Sequence, residues 1–321
     1  MKILAVDDEQ VVLDLLTVMV RKVGFSDITT VSSGASALET IANAPSTFDC
    51  VLLDISMPDL DGIELCALIR TIPTYHKIPI IMLTARSAEE YIDRSFRAKA
   101  TDYLNKPLDI VQLANRLQKA QEMIEGLPKR SLALARDTKD DGAEEVSLER
   151  EVSIDGVEDI VTFTALQNYL TQLSHVGIAG SQVVAVKVEP IESIFSRASR
   201  EEFLYVLSEV ADAISRAFAS DRHLMAYTGN GTFVVVSNKV EMESSIPLEA
   251  EIQAMIEERQ IEYDNGQPID IDVSIGNPIR PSLHRTQRVK HTFERAIARA
   301  ESRGQKKRGS VQPQRFRVVN S

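Results

Sequence analysis

The chain has 321 residues, 44% hydrophobic and 26% charged, a globular composition long enough for two ordinary domains. A net charge of −11 argues against attraction of the whole molecule to nucleic acid or to an anionic membrane. No apolar run reaches membrane-spanning length, and no signal peptide is expected ahead of the first strand. The two cysteines, Cys50 and Cys66, lie in apolar stretches, so buried free thiols in a cytoplasmic protein are expected.

Ile3 to Val6 is predicted as a short buried strand that runs into three acids, Asp7, Asp8 and Glu9. Clustered carboxylates repel one another unless a cation sits among them. Apolar residues recur at helical spacing from Val11 to Val23, and Gly24 stops that helix. Ile28 to Val31 reads as a second strand and Ala35 to Asn43 as a second helix. The run Cys50-Val51-Leu52-Leu53-Asp54 is a third strand that delivers an aspartate to its end, before the chain breaks at Pro58 and Gly62. After it come a helix over Ile63 to Ile69, a strand over Ile78 to Leu83 leading to Thr84, and a helix over Glu89 to Ala98. A short strand at Tyr103-Leu104 precedes Asn105-Lys106-Pro107, and Val111 to Ile124 is the last helix. Five alternations of strand and helix imply an α/β domain with a parallel sheet covered on both faces.

In such a sheet Asp7, Asp8, Asp54, Thr84 and Lys106 converge on the edge where strands end and ligands bind. Asp54 there could be a metal ligand, an acid or base, or a nucleophile. Three carboxylates beside a hydroxyl and an ammonium form a hard, oxygen-rich site suited to Mg²⁺. A carboxylate that attacks phosphorus needs such neutralising charge on the phosphoryl oxygens. The Thr84 hydroxyl could bond the new phosphoryl group, and Tyr103 is close enough in sequence to Lys106 to move with it.

Asp7-Asp8, Asp54 with Met57-Pro58-Asp59-Leu60-Asp61-Gly62, Thr84-Ala85, and Tyr103 with Lys106-Pro107 together resemble the receiver domain of bacterial two-component response regulators, over residues 1–125. The resemblance implies a doubly wound, flavodoxin-like five-stranded parallel sheet. It also implies Asp54 as phosphoacceptor, Asp7 and Asp8 with the backbone carbonyl of Ser56 as the Mg²⁺ site, Lys106 as phosphate partner, and Thr84 with Tyr103 as a switch pair. The implied partners are a sensor histidine kinase or phosphotransfer protein and a second copy bound through the receiver. One residue departs from the family pattern: Lys99 stands where a glycine often ends the fourth helix.

Residues 126–158 are charged and poor in large apolar side chains, and are expected to form a linker. A second core is expected over residues 159–318. Its predicted elements are helices over Phe163 to Leu173, Glu201 to Phe218, Leu248 to Glu258 and Thr292 to Glu301, and strands over Val183 to Val188 and Ile269 to Ile275. Between them, the strands His223 to Tyr227 and Thr232 to Ser237 bracket a turn at Gly229-Asn230-Gly231, a hairpin signal in an α+β domain.

Phe163-Thr164-Ala165-Leu166-Gln167-Asn168, Val273-Ser274-Ile275-Gly276 and Ala296-Ile297-Ala298-Arg299-Ala300 with Gly304 resemble segments of the GGDEF-type diguanylate cyclase domain. The resemblance implies that fold without its chemistry. Gly229-Asn230-Gly231-Thr232-Phe233 stands at the hairpin where the family carries two acids, and Lys187-Val188-Glu189 where it carries metal-binding aspartates. Phe195 falls at the base-recognition position, and Ser220-Asp221-Arg222-His223 lacks the inhibitory-site motif. Condensing GTP needs Mg²⁺ held by carboxylates, so an output domain that acts by contact with a downstream protein is expected. A GTP-binding sensor that uses Lys187 is the alternative, and an active cyclase the remote one. The basic tail residues Lys306, Lys307, Arg308, Arg315 and Arg317 come with no DNA-reading motif, and His175, His223, His284 and His291 have no metal-ligand spacing.

Overall fold

A computed structural model of the chain describes residues 1–85, 89–126, 147–173, 175–238, 245–281 and 287–310. It divides into two compact units, Met1–Glu145 with Thr164–Ser174, and Val146–Phe163 with His175–Ser321.

In the first unit the elements alternate as expected: β1 (Lys2–Val6), α1 (Gln10–Lys22), β2 (Asp27–Val31), α2 (Gly34–Asn43), β3 (Cys50–Asp54), α3 (Gly62–Thr71), β4 (Ile80–Thr84), α4 (Glu89–Arg97), β5 (Asp102–Asn105) and α5 (Ile110–Gly126). The strands form one parallel sheet in the order β2-β1-β3-β4-β5, the doubly wound order that reverses between β1 and β3. β3 is central and buried along its whole length, which explains its unbroken apolar run. Alternate residues serve opposite faces: Ile3, Ala5, Cys50, Leu52, Ile81 and Leu83 share one core with Leu13 and Leu16 of α1 and Leu113 and Leu117 of α5. Local signals set the boundaries. The Asp61 side chain caps α3 by accepting the Glu64 N–H at 2.8 Å, and Ser33 caps α2. A 3₁₀ turn at Pro73–Tyr75 was not evident from the sequence. One further helix, α6 (Phe163–Gln172), was expected to open the second domain; residues from Thr164 onward fall in the first unit.

The second unit continues with α7 (His175–Gly180), β6 (Gln182–Glu189), α8 (Ile191–Arg197), α9 (Arg200–Ala217), β7 (His223–Tyr227), β8 (Thr232–Ser237), α10 (Ser245–Glu258), β9 (Asp272–Ile275) and α11 (Gln287–Ser310). The sheet is antiparallel in the order β7-β8-β6-β9, so β8 inserts between β6 and β7 in a split βαβ arrangement. Val184, Val186 and Val188 of β6 pack with Phe203, Val206 and Val210 of α9 and Ile252 of α10, whereas α11 packs along β6 and β9. Ser199 and Glu202 form a reciprocal capping box at the start of α9. The short helices α7 and α8 were not foreseen, β9 is shorter than the predicted strand, and α11 is longer than the predicted helix. Ile154 and Val157, inside the stretch expected as linker, are buried in the core of this unit; the part of that stretch from 127 to 146 lies outside the described residues. Among the described residues no helix is long and apolar enough to cross a membrane.

Candidate functional site

The strand register of the first unit brings the candidate residues to one edge. Val6 lies beside Leu53, Asp54 beside Leu83 and Thr84 beside Asn105, so the residues that leave each strand form a row. Asp7 is fully buried and Asp54 is 3% exposed, and between them lies the Lys106 ammonium, 2.7 Å from Asp7 Oδ2 and 2.6 Å from Asp54 Oδ1. The backbone N–H of Ser56 donates to Asp54 Oδ2 at 2.7 Å and that of Glu9 to Asp7 Oδ1 at 3.0 Å. Asp8, the next residue along the chain, is exposed. Burial is the largest influence on Asp54 and raises its pKa, with the Asp7 charge adding to it, against the hydrogen bonds from Lys106 and Ser56. Burial alone would lower the pKa of Lys106, but its hydrogen bonds to Asp54 and Asp7 win and it is raised. Among the described residues no three His, Cys, Asp or Glu side chains are gathered so as to hold a metal ion; the ammonium joins the two buried carboxylates directly. Gly62 closes the loop that follows: its N–H donates to the Ile55 carbonyl at 3.0 Å, and a side chain there would overlap the Asp54 carbonyl oxygen.

Thr84 and Tyr103 are each 1% exposed, and their side chains share a hydrogen bond. Burial raises the Tyr103 pKa and the bond to Thr84 works against that rise. The expected switch pair is therefore side by side, with the ring inside. Lys99 has φ +64°, the left-handed conformation that glycine adopts without a Cβ clash. Sequence reasoning missed Arg70, a half-buried arginine whose guanidinium donates to the carbonyls of Lys99, Tyr75 and Ile78 and to Thr101 Oγ1. Its only sequence signal was an arginine next to the buried end of an amphipathic helix. Burial lowers its pKa, and burial pushes the thiols of Cys50 and Cys66 up to about 12 and about 11, as inert core groups.

A family model, the response regulator receiver domain, matches residues 3–118. This segment is a response regulator receiver domain. Phosphorylation on aspartate is general for that family. The two-component response regulator ARR10 of Arabidopsis thaliana is 36% identical over 115 residues, which cover 36% of this chain and 20% of ARR10. The response regulator MprA of Mycobacterium leprae is 36% identical over 149 residues, 46% of this chain and 57% of MprA. The chemotaxis response regulator CheY4 of Vibrio cholerae, a solved structure, is 29% identical and matches 37% of this chain and 97% of its own, with a TM-score of 0.35. The matches thus span a fifth of ARR10 and just over half of MprA.

Outside the receiver domain, the second unit sets its hairpin turn beside the end of β6, whereas His223 lies at the opposite end of β7. Lys187 pairs in register with Thr232 and Val186 with Phe233 across β6 and β8. The Lys187 ammonium donates to the Asn230 carbonyl. Gly229, Asn230 and Gly231 all have positive φ, at +87°, +50° and +65°. The turn is packed by its own unit: Asn230 N–H donates to the Leu148 carbonyl at 2.6 Å, Gly231 N–H donates to the Tyr227 hydroxyl at 3.0 Å, and a side chain at Gly229 would strike the Glu149 carbonyl. Thr232 Oγ1 lies 3.4 Å from the Asn230 carbonyl. Glu189 is 6% exposed, with Arg308 of α11 at 3.1 Å. Phe195 packs edge-on to Phe203 at 5.0 Å, and His223 lies 3.2 Å from Asp159. In the tail, Lys307 reaches Asp272 at 2.7 Å; Arg315 and Arg317, like His284, lie outside the described residues.

Proposed function

We propose that this chain is a cytoplasmic response regulator phosphorylated on Asp54 by a sensor histidine kinase or phosphotransfer protein. The observation that carries the reading is the Lys106 ammonium held between Asp54 and Asp7 at the end of the central strands. One Asp54 oxygen attacks the phosphorus of a phosphohistidine or acyl phosphate. A new P–O bond forms, the donor's P–N or P–O bond breaks, and its electron pair leaves with the donor. Lys106 exchanges a carboxylate contact for a phosphoryl oxygen, and Thr84 donates its hydroxyl to that group. Carboxylate and carbonyl oxygens are the donors Mg²⁺ takes, and a bound ion would replace the Lys106 ammonium as the charge between Asp7 and Asp54. Asp7, Asp8, Asp54 and the Ser56 carbonyl would hold it, and it would supply positive charge to the phosphoryl oxygens.

The second unit acts in this reading as a GGDEF-like output domain without catalysis, by contact with a downstream protein. Support comes from the acids missing at Lys187 and Thr232, and from a hairpin turn whose Asn230 amide is taken by the Leu148 carbonyl and whose Asn230 carbonyl is taken by Lys187. A nucleotide phosphate would have to displace both. Incubation of the full chain with Mg²⁺ and acetyl phosphate is expected to yield a phosphoprotein by phosphate-affinity electrophoresis, and equal labelling of Asp54→Ala would sink the reading. Calorimetric titration of the same samples with GTP is expected to show no binding, whereas saturable heat would favour the nucleotide sensor.

A further inference from the structure

Among the described residues α6 is the one helix of the first unit that chain order does not assign to the receiver domain, and its polar side chains are spent on α4, β5 and the turn between them. Tyr169 donates its hydroxyl to Asp93 Oδ1 of α4 at 2.7 Å, and its ring stands edge-on to Phe96 with centroids 5.5 Å apart. Asn168 Nδ2 donates to the Thr101 carbonyl at 2.9 Å and Gln172 Nε2 to the Tyr103 carbonyl at 3.3 Å, and Gln172 also bonds the Asp102 side chain. β5 is the edge strand of the sheet, so α6 covers an edge that would otherwise need other protection. Asn168 and Tyr169 are 8% and 1% exposed, and buried hydrogen bonds of this kind are costly to leave unmade.

We propose that the face formed by α4 and β5 is a binding site for α6 of the same chain, and that docking of α6 and inward seating of Tyr103 support each other. The strand residue whose carbonyl Gln172 holds is the residue whose ring is buried against Thr84. A Tyr103 ring turned outward would have to enter the space beside β5 that Asn168, Tyr169 and Gln172 fill. α6 therefore selects the inward ring. By reciprocity, a group at Asp54 that draws in Thr84 strengthens the hold on α6, a clause that rests on the proposed phosphorylation. A second copy bound through the same face would have to displace α6.

Hydrogen exchange on the full chain tests this. Tyr169→Phe keeps the ring on Phe96 and removes only the hydroxyl, and Gln172→Ala trims a half-buried side chain. Each is expected to speed exchange of the 163–172 and 101–104 amides about fivefold, the worth of one hydrogen bond. Unchanged exchange in both variants would overturn the docking. With Mg²⁺ and beryllofluoride, wild-type exchange in 163–172 is expected to slow, and unchanged or faster exchange would overturn the coupling. Binding of beryllofluoride is read separately from its ¹⁹F signal: no bound signal would defeat the Asp54 reading, and the variant arm would still decide the docking.

Discussion

Lys106 keeps two buried carboxylates within a few ångströms of each other, an arrangement that is costly to fold. Asp54 has a folded pKa above its ordinary 3.8. The folded state therefore binds more protons than the unfolded chain between that value and the raised one, and stability falls as pH rises through this window. Asp54→Asn removes both the slope and the repulsion with Asp7. Its melting temperature at pH 7 is expected to exceed that of wild type by about 2–4 °C, roughly 1 kcal/mol. Thermal melts of both proteins from pH 4 to 8 check this, and a lower melting temperature for Asn would contradict it. Lys106, also raised, has the same sign at higher pH: its contribution is full below the ordinary 10.5 and fades as pH rises through its raised folded value.

At the scale of elements, the turn from α4 into β5 is held in three ways. Lys99 N–H donates to the Phe96 carbonyl at 2.8 Å, Ala100 N–H to the Ser95 carbonyl at 3.0 Å, and Arg70 takes the Lys99 carbonyl at 2.9 Å. These bonds impose φ +64° on a lysine, which has a Cβ to clash there. Lys99→Gly is expected to stabilise the chain by about 1 kcal/mol, seen as a higher urea midpoint with unchanged slope. A loss of stability would mean that the lysine side chain does more than fill the position. Strand and helix assignments in the receiver domain were readable because each apolar run was bounded by a turn or cap residue. The short helices α7 and α8 were not, since six or seven residues carry too little periodicity to stand out.

On the scale of the molecule, the second unit is tied by Glu249 of α10, which accepts the Ile275 N–H of β9 at 2.8 Å and lies 3.0 Å from Arg303 and 3.4 Å from Lys307 of α11. Burial works against its charge, but the Arg303 and Ile275 hydrogen bonds and the Lys307 charge hold its pKa below the ordinary 4.5. The stability it supplies is present above the ordinary carboxylate range and is lost as pH falls through the depressed value. Glu249→Gln is expected to cost about 1–3 kcal/mol at pH 7 and to narrow the difference from wild type in acid. Denaturant unfolding at pH 7 and pH 3 measures both, and equal stability at pH 7 would refute the tie.

The alternation of strands and helices, the identity of the receiver domain and the row Asp7, Asp54, Thr84, Tyr103 and Lys106 were legible in the sequence, because alternation and strand-end position are local properties that a parallel sheet turns into one edge. The pairing of Lys106 with both carboxylates, the four-acceptor role of Arg70 and the seat of α6 were not. Each joins residues far apart in the chain: Lys106 and Asp7 are 99 residues apart, and Tyr169 and Asp93 are 76. Periodicity placed α6 as a helix with a buried face. Only packing in three dimensions decided that the face belongs to α4 and β5, because the donors of Asn168, Tyr169 and Gln172 find their acceptors there.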